Sequence, residues 1–261
     1  MIALIKELIL GFKTLFPGGR FRYVLVVLAM IGAVVSISEL LVLKLFVDIV
    51  VREDQIPQKE FIFLAVGLLL FFILTRVSQY AQRTYRVKAF ARSFKALKKM
   101  KNRGARNPEW AMAFELSSLL TNATQLLAIL LFFTIIEPTF ALLNLAVLVI
   151  VLTFIGRIFA NHLELQQRLL TERGGKKARP QRRYAERIKA AESGGLVSAA
   201  GMIILLGSLL YLSYIQEISI ADTLIIFFGV RLQGASLTNS SRSLMRYAKA
   251  KAGINEPEED E

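Results

Sequence analysis

Apolar residues run along this chain in six blocks, at 23–51, 60–82, 113–136, 140–160, 195–216 and 218–237, with polar stretches between them. A helix rising about 1.5 Å per residue crosses a hydrocarbon layer of about 30 Å in about 20 residues. Inside lipid it also satisfies its own backbone hydrogen bonds. The pattern therefore predicts an all-α, polytopic membrane protein with six transmembrane helices. Proline removes a backbone donor and is disfavoured inside helices. Pro17, Pro57, Pro108, Pro138, Pro180 and Pro257 all fall between these blocks or in the tail.

The polar stretches alternate in charge. Lys6, Lys13, Arg20 and Arg22 precede the first block, and a run of basic residues from Arg83 to Arg106 follows the second. Another basic run, from Arg168 to Lys189, follows the fourth, and Arg242, Arg246, Lys249 and Lys251 follow the sixth. The connections at 52–59, at Glu137-Pro138 and at Glu217 are short and carry little positive charge. By the positive-inside bias, the basic stretches and both termini belong in the cytoplasm.

Composition narrows the class. Of the 261 residues 54% are hydrophobic, and the mean hydropathy is +0.50, so nearly the whole chain is used to cross the bilayer. The net charge of +13 lies on one side of the membrane, where insertion and anionic lipid headgroups account for it without nucleic acid. With no cysteine, disulfides, thiolate metal sites and cysteine nucleophiles are excluded. The single histidine, His162, has no second histidine or paired carboxylates at ligand spacing, so it reads as an interfacial side chain, and no metal or cofactor is expected. Gly174-Gly175-Lys176-Lys177 lacks the spacing and hydroxyl of a phosphate-cradling loop. The chain is not expected to hydrolyse ATP itself or to be an enzyme of another kind.

Around the spans, 1–22 forms an apolar segment with Lys6, Glu7 and Lys13 that turns at Pro17-Gly18-Gly19. It fits an amphipathic helix lying in the inner interface, with a fraying terminus as the alternative. Tyr85, Val87, Phe90, Phe94, Leu97 and Met100 recur at helical intervals, so the second span is predicted to continue into the cytoplasm. Leu163, Leu165, Leu169 and Leu170 extend the fourth in the same way. Lys98, Lys99 and Arg103 on the first hairpin, and Arg173, Lys176, Lys177 and Arg179 on the second, are candidates for docking a partner. The other reading of these residues is a basic collar that anchors to lipid. The acidic end, 252–261, is a solvated tail by composition.

Polar groups within spans are costly and commonly paired or cavity-facing. Glu39 and Arg231 lie at matched depth, about 18 Å from the outer ends of the first and sixth spans, so an ion pair between them is expected. Arg76 sits deeper in the second span. The third span is the most polar: Glu115, Ser117, Ser118, Thr121, Asn122, Thr124 and Gln125 crowd its inner half, which should face protein or water. Glu39, Arg76, Glu115, Asn122, Gln125 and Arg231 are thus candidates either for lining a substrate path or for fastening helices. Ala29, Gly32, Ala33 and Ser36, with Ser198, Ala199, Gly201 and Gly207, are expected at helix contacts.

The segment GSLLYLSYIQEISIADTLIIFFGVRLQGASLTNSSRSLMRYAKAK, at 207–251, resembles the fifth helix, tight outer turn and sixth helix of exporter-type ATP-binding-cassette transporters. Residues 41–51 resemble the end of that family's first helix, and 138–157 its third-to-fourth turn and fourth helix. The resemblance implies an elbow helix at the N-terminus, a six-helix domain at 23–251 with cytoplasmic extensions, and two such domains enclosing a central path. It also implies hairpins that couple to ATPase domains, which in the family usually follow the sixth helix. Here the sequence stops at Glu261, and the second hairpin carries Gly174-Gly175 and Pro180 where a coupling helix would stand. The expected function is a permease-like subunit of a bacterial inner membrane, a homodimer or paired with a related half-transporter, working with a separate ATPase. The alternatives are a scaffold or accessory subunit of a membrane assembly, and an ion-driven carrier using Glu39, Arg76 and Arg231.

Overall fold

The computed structural model describes residues 6, 8–12, 20–51, 57–97, 106–171 and 180–254. Among these, six long helices follow one another: α1 (Arg20–Val50), α2 (Gln58–Leu97), α3 (Arg106–Ile136), α4 (Pro138–Thr171), α5 (Pro180–Tyr214) and α6 (Ile220–Ile254). Residues 8–12 are also helical. Each long helix holds a stretch long and apolar enough to cross a membrane. The chain is a multi-pass, all-helical protein of membrane-spanning character.

The helices overrun the apolar blocks at the basic end. The 34 residues of α4 measure roughly 51 Å, about 20 Å more than the hydrocarbon layer. Pro108, Pro138 and Pro180, expected between spans, lie in the first turns of α3, α4 and α5. There the missing N–H has no helical partner to lose.

At the other end, the loop end, helices are stopped by caps. Glu137 alone separates α3 from α4. Its N–H donates to the Phe133 carbonyl, and its carboxylate accepts from Thr139 N–H at 3.4 Å. Between α5 and α6 the sequence predicts a connection at one residue, Glu217, but the turn occupies 215–219. Gln216 takes a left-handed φ of 59°, which ends α5. Ser219 then caps α6: its Oγ accepts from Asp222 N–H at 3.0 Å and donates to Asp222 Oδ2 at 2.7 Å. The Ser-Ile-Ala-Asp run is therefore a variant of the capping box, with the carboxylate on the hydroxyl.

Packing centres on α6, which touches α3, α5, α4 and α1, while α2 lies at the periphery with α1 as its chief neighbour. Tyr247, Phe133, Phe140, Leu40 and Ile225 are fully buried. Phe63, Ile135, Leu142, Leu196, Ile203 and Leu210 point outward, and lipid satisfies them as well as a protein core would. Hydrophobic burial therefore gives these helices little reason to associate, and close approach with buried hydrogen bonds takes its place. Gly32 on α1 lies against Thr121 and Gln82, Gly201 on α5 against Val151, and Gly229 on α6 against the Phe133 ring. Gly207, expected at a contact, faces open space instead. Near the N-terminus, Leu8 and Phe12 pack on the core, and Gly11 abuts the Tyr247 hydroxyl.

Lys98, Lys99, Arg103, Arg173, Lys176, Lys177 and Arg179, the Gly174-Gly175 tip and the acidic 255–261 tail lie outside the described residues.

Candidate functional site

Antiparallel helices aim their side chains at one another along the axis, because each Cα–Cβ bond leans toward its own helix N-terminus. In α1 that lean carries Glu39 toward the basic end, and in α2 it carries Arg76 and Gln79 toward the loop end. They meet. Gln79 Nε2 donates to Glu39 Oε1 at 2.9 Å, and Arg76 Nη1 donates to Gln79 Oε1 at 3.3 Å. The Arg76 guanidinium also lies 5.2 Å from the centre of the Phe72 ring, which offers it a negative face. Gln79 relays an arginine to a carboxylate, so the network is neutral overall.

The partner expected for Glu39 was Arg231, and the structure replaces it. Arg231 is exposed, and among the described residues no hydrogen bond or ion pair reaches it. Both residues lie 11 positions from the loop ends of α1 and α6, or about 16.5 Å along the axis. Rotation about each helix separates them. An arginine at the bilayer centre costs on the order of 3 kcal/mol even on the more lenient scales, so Arg231 calls for water, protein or an anion beside it.

Arg231 belongs to a longer stripe. Phe227, Phe228, Arg231, Ala235, Asn239, Arg242 and Arg246 are all exposed and recur every three or four residues on one face of α6. The side toward the basic end is polar although it runs through a membrane-spanning helix. Next to it, Phe228 and Leu232 of α6 join Glu39, Leu40, Leu43 and Phe46 of α1 and Leu68 of α2 around an open cleft of about 350 Å³. Among the described residues, Glu39 is the only ionisable one in its lining.

Two of the other candidates, Glu115 and Gln125, bond across helices. Glu115, almost fully buried on α3, accepts from Arg246 Nη1 at 3.2 Å. Ser236 Oγ donates to Gln125 Oε1 at 3.1 Å, and Thr124 Oγ1 donates to the Ala29 carbonyl at 2.7 Å. Asn122 is half-buried beside them in sequence. On the half of α3 toward the basic end, Glu115, Ser117 and Thr121 are buried against the other helices.

One site escaped sequence reading. Asn144 on α4 and Gln233 on α6 exchange two hydrogen bonds, of 2.9 and 2.7 Å, with both side chains buried. The signal was there for Asn144, a lone carboxamide in an apolar run, whereas Gln233 stands two residues from Arg231. Arg242 pairs with Glu192 at 3.1 Å on an exposed surface. His162, expected at the interface, is instead buried at 3% exposure, and neither ring nitrogen has a partner among the described residues. No three His, Asp or Glu gather at metal-ligand distance among those residues.

Comparison of the sequence with known protein families and with curated proteins yields no match.

Proposed function

We propose that this chain is a permease-like membrane subunit, related in plan to exporter-type ATP-binding-cassette membrane domains, with its basic end and both termini in the cytoplasm of a bacterial inner membrane. The observation that carries the reading is the exposed stripe of Arg231, Asn239, Arg242 and Arg246 on α6. Within the apolar block at 218–237 the stripe holds Arg231, a charge that is costly against lipid and is accommodated against water or protein, and Asn239, Arg242 and Arg246 continue it past the block toward the basic end. A second copy, or a related half-transporter, facing this side of α6 would enclose the stripe as a path. Movement along it would draw on an ATPase that these 261 residues do not contain, docked at the basic end.

The test is gentle purification from the native membrane, with the partners identified and ATP hydrolysis measured in the same sample. Recovery in fixed ratio with an ATPase whose turnover responds to this subunit supports the permease. Recovery with a membrane assembly lacking ATPase activity makes the chain a scaffold or accessory subunit, and the stripe its docking face.

A further inference from the structure

The polar groups around the α1–α2–α6 cleft do not balance. Glu39, the carboxylate in the cleft wall, is already answered by Gln79 and through it by Arg76. Arg231 stands on the same stretch of α6 as the cleft residues Phe228 and Leu232, exposed and without a protein anion among the described residues. The local sum is one uncompensated positive charge at mid-membrane depth. Arg231 does not itself line the cleft, but it lies one residue before Leu232 and three after Phe228, which do; the cleft is apolar and about 350 Å³, a volume within the range of ligand pockets. The cleft is open rather than enclosed.

We infer that the cleft binds an amphiphile with an anionic headgroup, its alkyl chain against Leu40, Leu43, Phe46 and Phe228 and its negative group against Arg231. This deepens the permease reading and rests on it for the idea that the ligand moves. A cationic amphiphile fits less well, because among the described residues Glu39 is the only acid in the lining and its charge is already matched. A purely apolar ligand leaves Arg231 uncompensated. The occupant that satisfies both the wall and the charge carries one end of each kind.

Native mass spectrometry of the intact protein in a neutral detergent tests this with two probes that share an acyl chain, lysophosphatidic acid and lysophosphatidylcholine. The expected result is at least tenfold tighter binding of lysophosphatidic acid. Arg231→Gln should reduce that ratio to near one, and Arg231→Lys should keep most of it. Leu43→Trp, which fills the cleft, should weaken both probes together. Inorganic phosphate should not displace the lipid at matched concentration, since the chain supplies part of the affinity. Equal binding of both probes to the wild type overturns the inference, and so does a preference that survives Arg231→Gln. Displacement by phosphate alone would make the ligand a soluble anion and overturn the amphiphile. Thermal unfolding of each variant in the same detergent separates loss of the site from loss of the fold. Binding needs no ATPase, so charge-selective binding without any ATPase partner would sink the permease reading and leave this one standing. An ATPase partner combined with charge-blind binding would do the reverse.

Discussion

Asn144 and Gln233 hold α4 to α6 by a closed pair of amide hydrogen bonds, with neither side chain open to solvent or lipid. Asn144→Leu removes one side and leaves the Gln233 amide buried without a partner. The cost of such an orphan is about 1–3 kcal/mol, whereas interhelical hydrogen bonds in membranes average about 0.6 kcal/mol net. We therefore expect Asn144→Leu and Gln233→Leu each to destabilise by about 1–2 kcal/mol, and the double substitution by less than their sum. Unfolding titrations in mixed detergent micelles measure this, and strict additivity would show that the pair is not coupled.

Glu39 gives a sharper contrast. Its hydrogen-bonded neighbour is Gln79, and behind that Arg76, while Arg231 does not touch it. In a double-mutant cycle, Glu39→Gln with Arg76→Gln should show a coupling of about 0.5–3 kcal/mol in stability. The same cycle with Arg231→Gln should be additive to within about 0.5 kcal/mol. The opposite ranking of the two cycles would restore the ion pair that depth alone suggests.

The difference between those two partners marks what the sequence makes legible. Apolar runs of 20 residues or more announce spans because lipid tolerates little else, and all six appear as helices. The depth of Glu39 and Arg231 follows from counting residues, but the direction each faces depends on how neighbouring helices are rotated, which counting does not supply. Gln79 was passed over because a neutral amide does not stand out beside ionisable groups, although it is the residue that connects them. Asn144 and Gln233 were missed for the same reason. The end of α5 was misplaced because apolar Ile215 and Ile218 continue the pattern through a turn that Gln216 and Ser219 set by backbone conformation and capping.

Orientation is open to a direct test because the chain has no cysteine to confuse labelling. Glu217 lies exposed in the turn before α6, and Gln181 lies exposed at the start of α5 on the basic end. With the basic end inside, Glu217→Cys should react with a membrane-impermeant maleimide on intact cells, and Gln181→Cys should react only after the membrane is opened. The reverse labelling would invert the topology and place the basic hairpins outside.

Two glycines separate a packing role from a mere vacancy. A methyl group at Gly229 would run into the Phe133 ring, which is itself fully buried and held edge-on to Phe140, with ring centres 5.5 Å apart. The ring has little room to retreat, so Gly229→Ala should force α6 away from α3 and cost about 1–3 kcal/mol, as overpacking does in dense cores. Gly207 on α5 has nothing within 4 Å of the same added atom. There the alanine meets no clash and gains helix propensity, worth up to about 1 kcal/mol for an exposed helix interior. The two variants should thus move the unfolding midpoint in opposite directions, down for Gly229→Ala and level or up for Gly207→Ala. A loss of stability at Gly207 would mean that something outside this single chain, such as a second copy, packs against that face of α5. An unchanged midpoint at Gly229 would mean that α3 and α6 are not held as closely as the Phe133 ring requires.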